Sequence, residues 1–82
     1  MNEFTVPDGL RWLGITMADY ERSWIILAGR HGNPIMAALL DARAAQGTDV
    51  TPADILARHG IDPIDPLAAV RAYDVARQRF DA

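Results

Sequence analysis

The organisation of this chain is clearest in residues 51–60, TPADILARHG, which carry both the start and the stop signals of a short helix. Thr51 offers a side-chain oxygen to the amides of the first turn, and a proline in the first helical position loses no hydrogen bond there. Arg58 and His59 place positive charge near the C-terminal end of the helix dipole. Gly60 suits the position just after the helix, where many helices end with a residue in the left-handed backbone conformation. The pattern predicts a helix at about 52–59.

Similar signals occur upstream of this stretch. Thr16 and Asp19 fit a capping box, in which a hydroxyl and a carboxylate each bond a backbone amide of the first turn. They predict a helix at about 17–30, before Gly32. Asn33 and Pro34 predict the next helix, at about 34–46, because asparagine caps helices well and proline is tolerated at the first helical position.

The last predicted helix opens at Asp65 and Pro66 and covers about 66–80. A weaker pattern predicts a short N-terminal helical turn near 8–13, preceded by a short extended segment at 1–7. We find no strand pattern of useful length. Because the connections are short, consecutive helices should pack as neighbours. We therefore predict a single all-α domain over 1–82, a small compact bundle or orthogonal array of four main helices.

The composition limits the chemistry of the chain. It has 82 residues, of which 50% are hydrophobic and 23% charged, and it contains no cysteine. A disulfide framework, a thiol nucleophile and a thiolate metal site are thereby excluded. No apolar run approaches the roughly 20 residues of a membrane span, so we expect a soluble protein without a membrane partner. The N-terminus lacks the pattern of a secretory signal, and we expect a cytoplasmic location.

The charge balance argues against nucleic acid as a partner. The chain has eight basic and eleven acidic residues, which gives a net charge of -3. This is opposite in sign to the net charge of the usual nucleic-acid-binding domain. All eight basic residues are arginine, and alanine and aspartate are abundant. This bias is typical of a high-GC genome, and we expect a bacterial or phage source.

The titratable residues give little support to catalysis. The two histidines, His31 and His59, each follow an arginine and precede a glycine near a predicted helix end, where a cation interacts favourably with the dipole. The two Arg-His-Gly segments are either a duplicated site or two helix caps. No metal-ligand motif and no phosphate-binding loop is present. We predict a protein that is not an enzyme and needs no cofactor or metal. An enzyme that uses His31 or His59 is a weaker hypothesis.

The strongest functional indication lies in residues 24–27, WIIL. Met17, Tyr20, Trp24, Leu27 and Ala28 are spaced as one apolar stripe, which we predict to face the core. However, four successive large apolar residues span a full helical turn and cannot all face one side. The helix is therefore either covered on several sides, or one of its faces meets another chain.

The leading hypothesis is a non-enzymatic helical protein–protein interaction module. Such a module could be a small subunit, an adaptor or an inhibitor, including a component of a larger assembly such as a virus particle. Its partner is either another protein or a second copy of the chain, as in a homo-oligomer. The predicted interface has two patches of apolar, aromatic and arginine side chains, which often anchor interfaces: Trp24, Ile25 and Ile26, and Val75, Arg77 and Phe80.

The alternative is an acidic helix-turn-helix regulator that binds DNA through residues 51–80. Arg71, Arg77 and Arg79 form the basic set on its second helix. The start of that helix, DPLAA at 65–69, argues against this alternative, because it offers no donor to a base edge and its aspartate repels phosphate.

Overall fold

The computed structural model describes residues 4–81, with side chains described through residue 79. This part of the chain forms five helices and no strand, which confirms the predicted all-α class. Its radius of gyration is 12.8 Å, close to the roughly 12 Å of a compact domain of this length. None of the described helices is long and apolar enough to span a membrane. The helices are α1 (Val6–Leu13), α2 (Met17–Ile26), α3 (Pro34–Ala44), α4 (Pro52–Arg58) and α5 (Pro66–Asp81).

Helices α1 and α4 begin with the same device. Thr51 and Asp54 form a reciprocal capping box, in which the Thr51 amide donates to the Asp54 carboxylate at 3.1 Å. Thr5 and Asp8 form the corresponding box on α1, where the equivalent distance is 3.5 Å. The predicted N-terminal turn at 8–13 is therefore a full helix that begins at Val6. The predicted extended segment 1–7 is wrong at its last two residues, and residues 1–3 lie outside the described part.

Helices α1 and α4 also end alike. Gly14 and Gly60 take left-handed backbone angles, with φ of 79° and 65°. The isoleucine after each glycine donates its amide to a carbonyl five residues back, at 2.9 Å in both helices. Ile15 and Ile61 are 5% and 4% exposed, so each helix end is fixed by a hydrogen bond and by a buried side chain.

Helix α2 ends at Ile26 rather than near residue 30 as predicted. Ala28 takes the left-handed conformation, with φ of 52°, and the next residue, Gly29, follows at 71°. The amides of Ala28 and Gly29 donate to Ile25 and Trp24, at 3.1 and 3.0 Å, as in the helix ends that use glycine. Thr16 caps the start of α2 through the Asp19 amide at 3.1 Å.

The helices enclose one apolar core. Helix α2 packs mainly on α5, and α1 packs on α3. Gly9 allows the close approach of α1 to α3, because a Cβ there would lie 2.7 Å from the Leu39 side chain. Partly buried side chains, including Phe4 and Tyr73, pack against this core. The buried apolar residues are Leu10, Leu13, Ile15, Leu27, Ile35, Ala38, Leu39, Ala42, Ala45, Ile55, Leu56, Ile61, Leu67 and Val70.

We predict that Ala28→Gly stabilises the protein by about 1 kcal/mol, because glycine adopts the left-handed conformation without the Cβ clash. Gly60→Ala, the reverse exchange at the equivalent position of α4, should destabilise it by a similar amount. A methyl group at Gly60 would meet no atom within 4 Å, so that effect reports backbone conformation alone. Urea denaturation measures both changes. A lower stability of Ala28→Gly would contradict the described end of α2.

We also predict a pH-dependent contribution from Asp54. The hydrogen bonds from the Thr51 amide and side chain lower the pKa of the Asp54 carboxyl, with a smaller contribution from the Arg58 charge. A lowered pKa in the folded state stabilises the protein above the unfolded-state pKa, and this stabilisation is lost as the pH falls through the folded-state pKa. Asp54→Asn should therefore be less stable than wild type at neutral pH, and the difference should shrink below about pH 4.

Thermal melts at several pH values test this. Asp49→Asn is the control, since it removes an equal charge from an exposed residue outside the capping box. A difference between wild type and Asp54→Asn that stays constant down to about pH 2 would sink the prediction.

Candidate functional site

A buried polar pair joins the end of α2 to the start of α3. The Asn33 side-chain nitrogen donates to the Ser23 hydroxyl at 2.8 Å, and its oxygen accepts the Ile35 amide at 2.9 Å. Ser23 in turn donates to the Tyr20 carbonyl. Ser23 and Asn33 are 0% and 2% exposed. This network caps α3, as the sequence predicted for Asn33, and also joins the last turn of α2 to the start of α3, which the sequence did not predict.

One further contact joins the two helices. One turn from the Ser23–Asn33 pair, the Tyr20 hydroxyl contacts the Met36 sulfur at 3.9 Å, and the Trp24 ring packs edge-on to Tyr20 with centroids 6.3 Å apart. Two more apolar side chains of these helices, Met17 on α2 and Leu40 on α3, are 41% and 58% exposed. Together with Ile25, these side chains make up what we name the α2–α3 apolar surface: Met17, Tyr20, Trp24, Ile25, Met36 and Leu40.

The four residues 24–27 point in different directions, as their succession requires. Leu27 is completely buried, Ile26 packs against the core and Trp24 is half-buried. Ile25 is 77% exposed. The predicted core stripe of α2 is therefore wrong in part. Met17 and Ala28 are exposed. Leu27 is the buried residue of the stripe, and Ser23, which was not part of the predicted stripe, is also buried.

The second predicted patch lies on α5 and is only partly available for contact. Val75 is 49% exposed. Arg77 is held within the chain, since its guanidinium donates to the His31 carbonyl at 3.0 Å and to the Tyr73 hydroxyl at 3.3 Å. The Phe80 side chain lies outside the described part of the structure. Of this patch, Val75 is thus the residue that is described and largely exposed.

The arginines of the DNA-binding alternative do not form one row. Arg71 pairs with Asp65 at 2.9 Å, and Arg77 contacts the His31 carbonyl of the α2–α3 loop. At about 100° per residue, Arg77 lies roughly 120° around α5 from Arg71 and 160° from Arg79. Residues 59–65 connect α4 to α5, a longer connection than the three to four residues usual in helix-turn-helix motifs.

The two histidines occupy different settings. His59 follows α4, and its Nε2 lies 2.6 Å from the Asp41 carboxylate of α3, so it links these two helices. His31 is exposed in the α2–α3 loop, five residues beyond the end of α2. The two Arg-His-Gly segments are thus not equivalent helix ends. Among the residues described, no three histidine, aspartate or glutamate side chains are grouped to hold a metal ion.

An open groove of about 1040 Å³ lies between α1 and the α3–α4 connection. Sequence reasoning did not identify it. A usable signal was present in the spacing of Phe4, Asp8 and Trp12, which recur every four residues. The groove is lined by Phe4, Asp8, Trp12, Ala42, Ala45, Gln46, Gly47, Thr48, Val50, Thr51 and Pro52.

We predict that Ser23→Ala destabilises the protein by about 1–3 kcal/mol, because it leaves the buried Asn33 side-chain donor without its acceptor. The same substitution in an Asn33→Ala background should cost less, since that donor is already absent. Urea denaturation of the two single variants and the double variant gives the coupling energy. Additive losses would show that the buried pair does not link the two helices energetically.

The comparisons with known proteins gave no relative for this chain. No protein-family model, curated protein or solved structure matches it.

Proposed function

We propose that this chain is a non-enzymatic helical interaction module that binds another protein chain through the α2–α3 apolar surface. The observation that carries the proposal is the exposure of Ile25, at 77%, beside the half-buried Trp24. Burial of an isoleucine side chain is worth about 1.5–3 kcal/mol, so its exposure in a small domain leaves a stabilising contact unmade.

The surroundings of Ile25 support a binding role. Trp24 beside it is half-buried, and Met17 and Leu40 are exposed on the same two helices. Tryptophan and methionine are enriched in protein interfaces, and methionine side chains adapt to different partner shapes. Exposed charged residues, Glu21 and Arg22, lie next to the apolar side chains on α2. An apolar centre with a charged rim is the usual anatomy of a protein interface.

The scaffold beneath this surface is rigid enough to present it. The Ser23–Asn33 bond fixes the end of α2 against the start of α3, and the Tyr20–Met36 contact holds the next turn. A surface with fixed backbone geometry loses less conformational entropy when a partner binds. We include Val75, with Arg77 and Phe80, as a second contact in the proposal. The partner is a different protein or another copy of this chain.

We predict that Ile25→Asp weakens association at least about tenfold without unfolding the protein, because it places a charge within the proposed apolar contact. Its effect on stability should stay within about 0.5 kcal/mol, as for other exposed positions. The measurement is native mass spectrometry of the tagged protein, gently isolated from its source cells, together with sedimentation of the purified protein over a range of concentrations.

Ile64→Asp is the matched control. Ile64 is 92% exposed in the α4–α5 connection, and the exchange introduces the same charge outside the α2–α3 apolar surface. The control should retain the discrete complex seen for wild type. Equal association of the two variants would refute the role of Ile25. A wild-type chain that remains a 9.0 kDa monomer, yet binds duplex DNA with steep salt dependence, would favour the helix-turn-helix alternative.

A further inference from the structure

The groove between α1 and the α3–α4 connection has a distinct chemical character. Phe4, Asp8 and Trp12 follow one another at four-residue intervals, so an aromatic ring, a carboxylate and an indole succeed one another along one wall. Trp12 is 38% exposed, and the Asp8 side chain is 49% exposed. Of the described residues that line the groove, Asp8 is the only charged one.

The Asp8 carboxylate has acceptor capacity left for a ligand. Its capping hydrogen bond from the Thr5 amide is 3.5 Å long, and its ion pair with the exposed Arg11 is 3.8 Å long. The equivalent carboxylate of α4, Asp54, accepts the Thr51 amide at 3.1 Å and does not line the groove. Asp8 and Asp54 both belong to a capping box, but the hydrogen bond that Asp8 accepts from its own helix start is the longer of the two.

The charge of the site favours a cation over an anion. Helices α1 and α4 both begin at the groove, and free helix N-termini attract anions. Here the threonine hydroxyl and the aspartate carboxylate of each capping box already accept two backbone amides, and Pro7 and Pro52 remove one amide donor from each first turn. The net charge of the chain, -3, also favours the approach of a positive group.

We propose that this groove binds an arginine side chain presented by a partner peptide segment. The guanidinium would pair with the Asp8 carboxylate and stack on the Trp12 indole. Guanidinium groups are suited to both contacts, because they are planar, weakly hydrated and able to bond a carboxylate through two donors. This site is separate from the α2–α3 apolar surface, and the proposal does not depend on the function proposed above.

The remaining groove walls fit a peptide rather than a lone cation. The groove volume, about 1040 Å³, is at the upper end of the range for ligand pockets. It exceeds the volume of one side chain. Ala42, Ala45, Val50 and Pro52 provide apolar contact for the aliphatic part of the arginine and for small neighbouring residues. Gln46 is exposed at the same groove and offers polar contact to a peptide backbone.

Nuclear magnetic resonance of the ¹⁵N-labelled wild-type chain tests the proposal directly. The chain has two tryptophans, so the indole resonance of Trp12 reports the groove and that of Trp24 serves as an internal control. Trp12→Phe assigns the two resonances. The probe is an acetylated and amidated pentapeptide with one arginine between pairs of alanines. We expect a saturable shift of the Trp12 resonance, with Trp24 unchanged.

Two comparisons make the test specific to charge. A peptide with citrulline in place of arginine has nearly the same shape without the charge, and should bind about tenfold more weakly. Asp8→Asn should weaken binding of the arginine peptide by a similar factor. Asp54→Asn removes an equal charge from the equivalent capping box outside the groove, and should leave binding within about twofold of wild type.

Several results would overturn the proposal. Equal binding of the citrulline peptide would indicate an apolar site, and preferential binding of a glutamate peptide would indicate an anion site at the helix N-termini. Equal losses in Asp8→Asn and Asp54→Asn would indicate a general effect of charge. A Trp12 resonance that does not respond to the arginine peptide would exclude the site. The spectra also show whether each variant is folded, so a structural failure is recognised as such.

Discussion

The hydrogen bond between Ser23 and Asn33 is the contact on which the arrangement of α2 and α3 depends. It is fully buried, and Asn33 uses its remaining side-chain oxygen to cap α3. A buried amide without partners would cost about 1–3 kcal/mol, so the two helices are held in the one register that satisfies it. One turn away, the Tyr20 hydroxyl contacts the Met36 sulfur at 3.9 Å. These two contacts join the helices that carry the α2–α3 apolar surface.

Helix α5 secures the same region from the other side. Its side chains Tyr73 and Arg77 donate to the His31 carbonyl, and Asp74 pairs with Arg30 at 3.1 Å. The Tyr73 hydroxyl lies so close to Gly32 that a Cβ would not fit there. The loop between α2 and α3 is thus fixed at both ends and along its length. Arg77 has a structural role in this loop, which limits how freely it can contribute to an interface.

The two proposed binding regions differ in chemistry and in origin. The α2–α3 apolar surface consists of large side chains that the small core leaves exposed. The groove is formed where α1 and the α3–α4 connection meet, and it combines aromatic side chains with one carboxylate. Gly9 contributes to the groove indirectly, because its missing side chain lets α1 approach Leu39 of α3. Under the two proposals, the chain would bind an apolar surface with one region and a cationic segment with the other.

Local signals in the sequence were enough to predict the all-α class and most helix boundaries. Thr51, Asn33 and Gly60 act on backbone groups within a few residues, so their effect is readable without the fold. The end of α2 was mispredicted because its left-handed residue is Ala28, for which no local preference exists. The sequence also indicated that residues 24–27 could not share one environment. That Ile25 is the exposed member, that Arg77 is engaged and that a groove lies beside Trp12 depended on contacts between distant segments. Such contacts arise only when the helices pack. The four-residue spacing of Phe4, Asp8 and Trp12 indicates one wall of the groove, but the opposite wall comes from a distant segment.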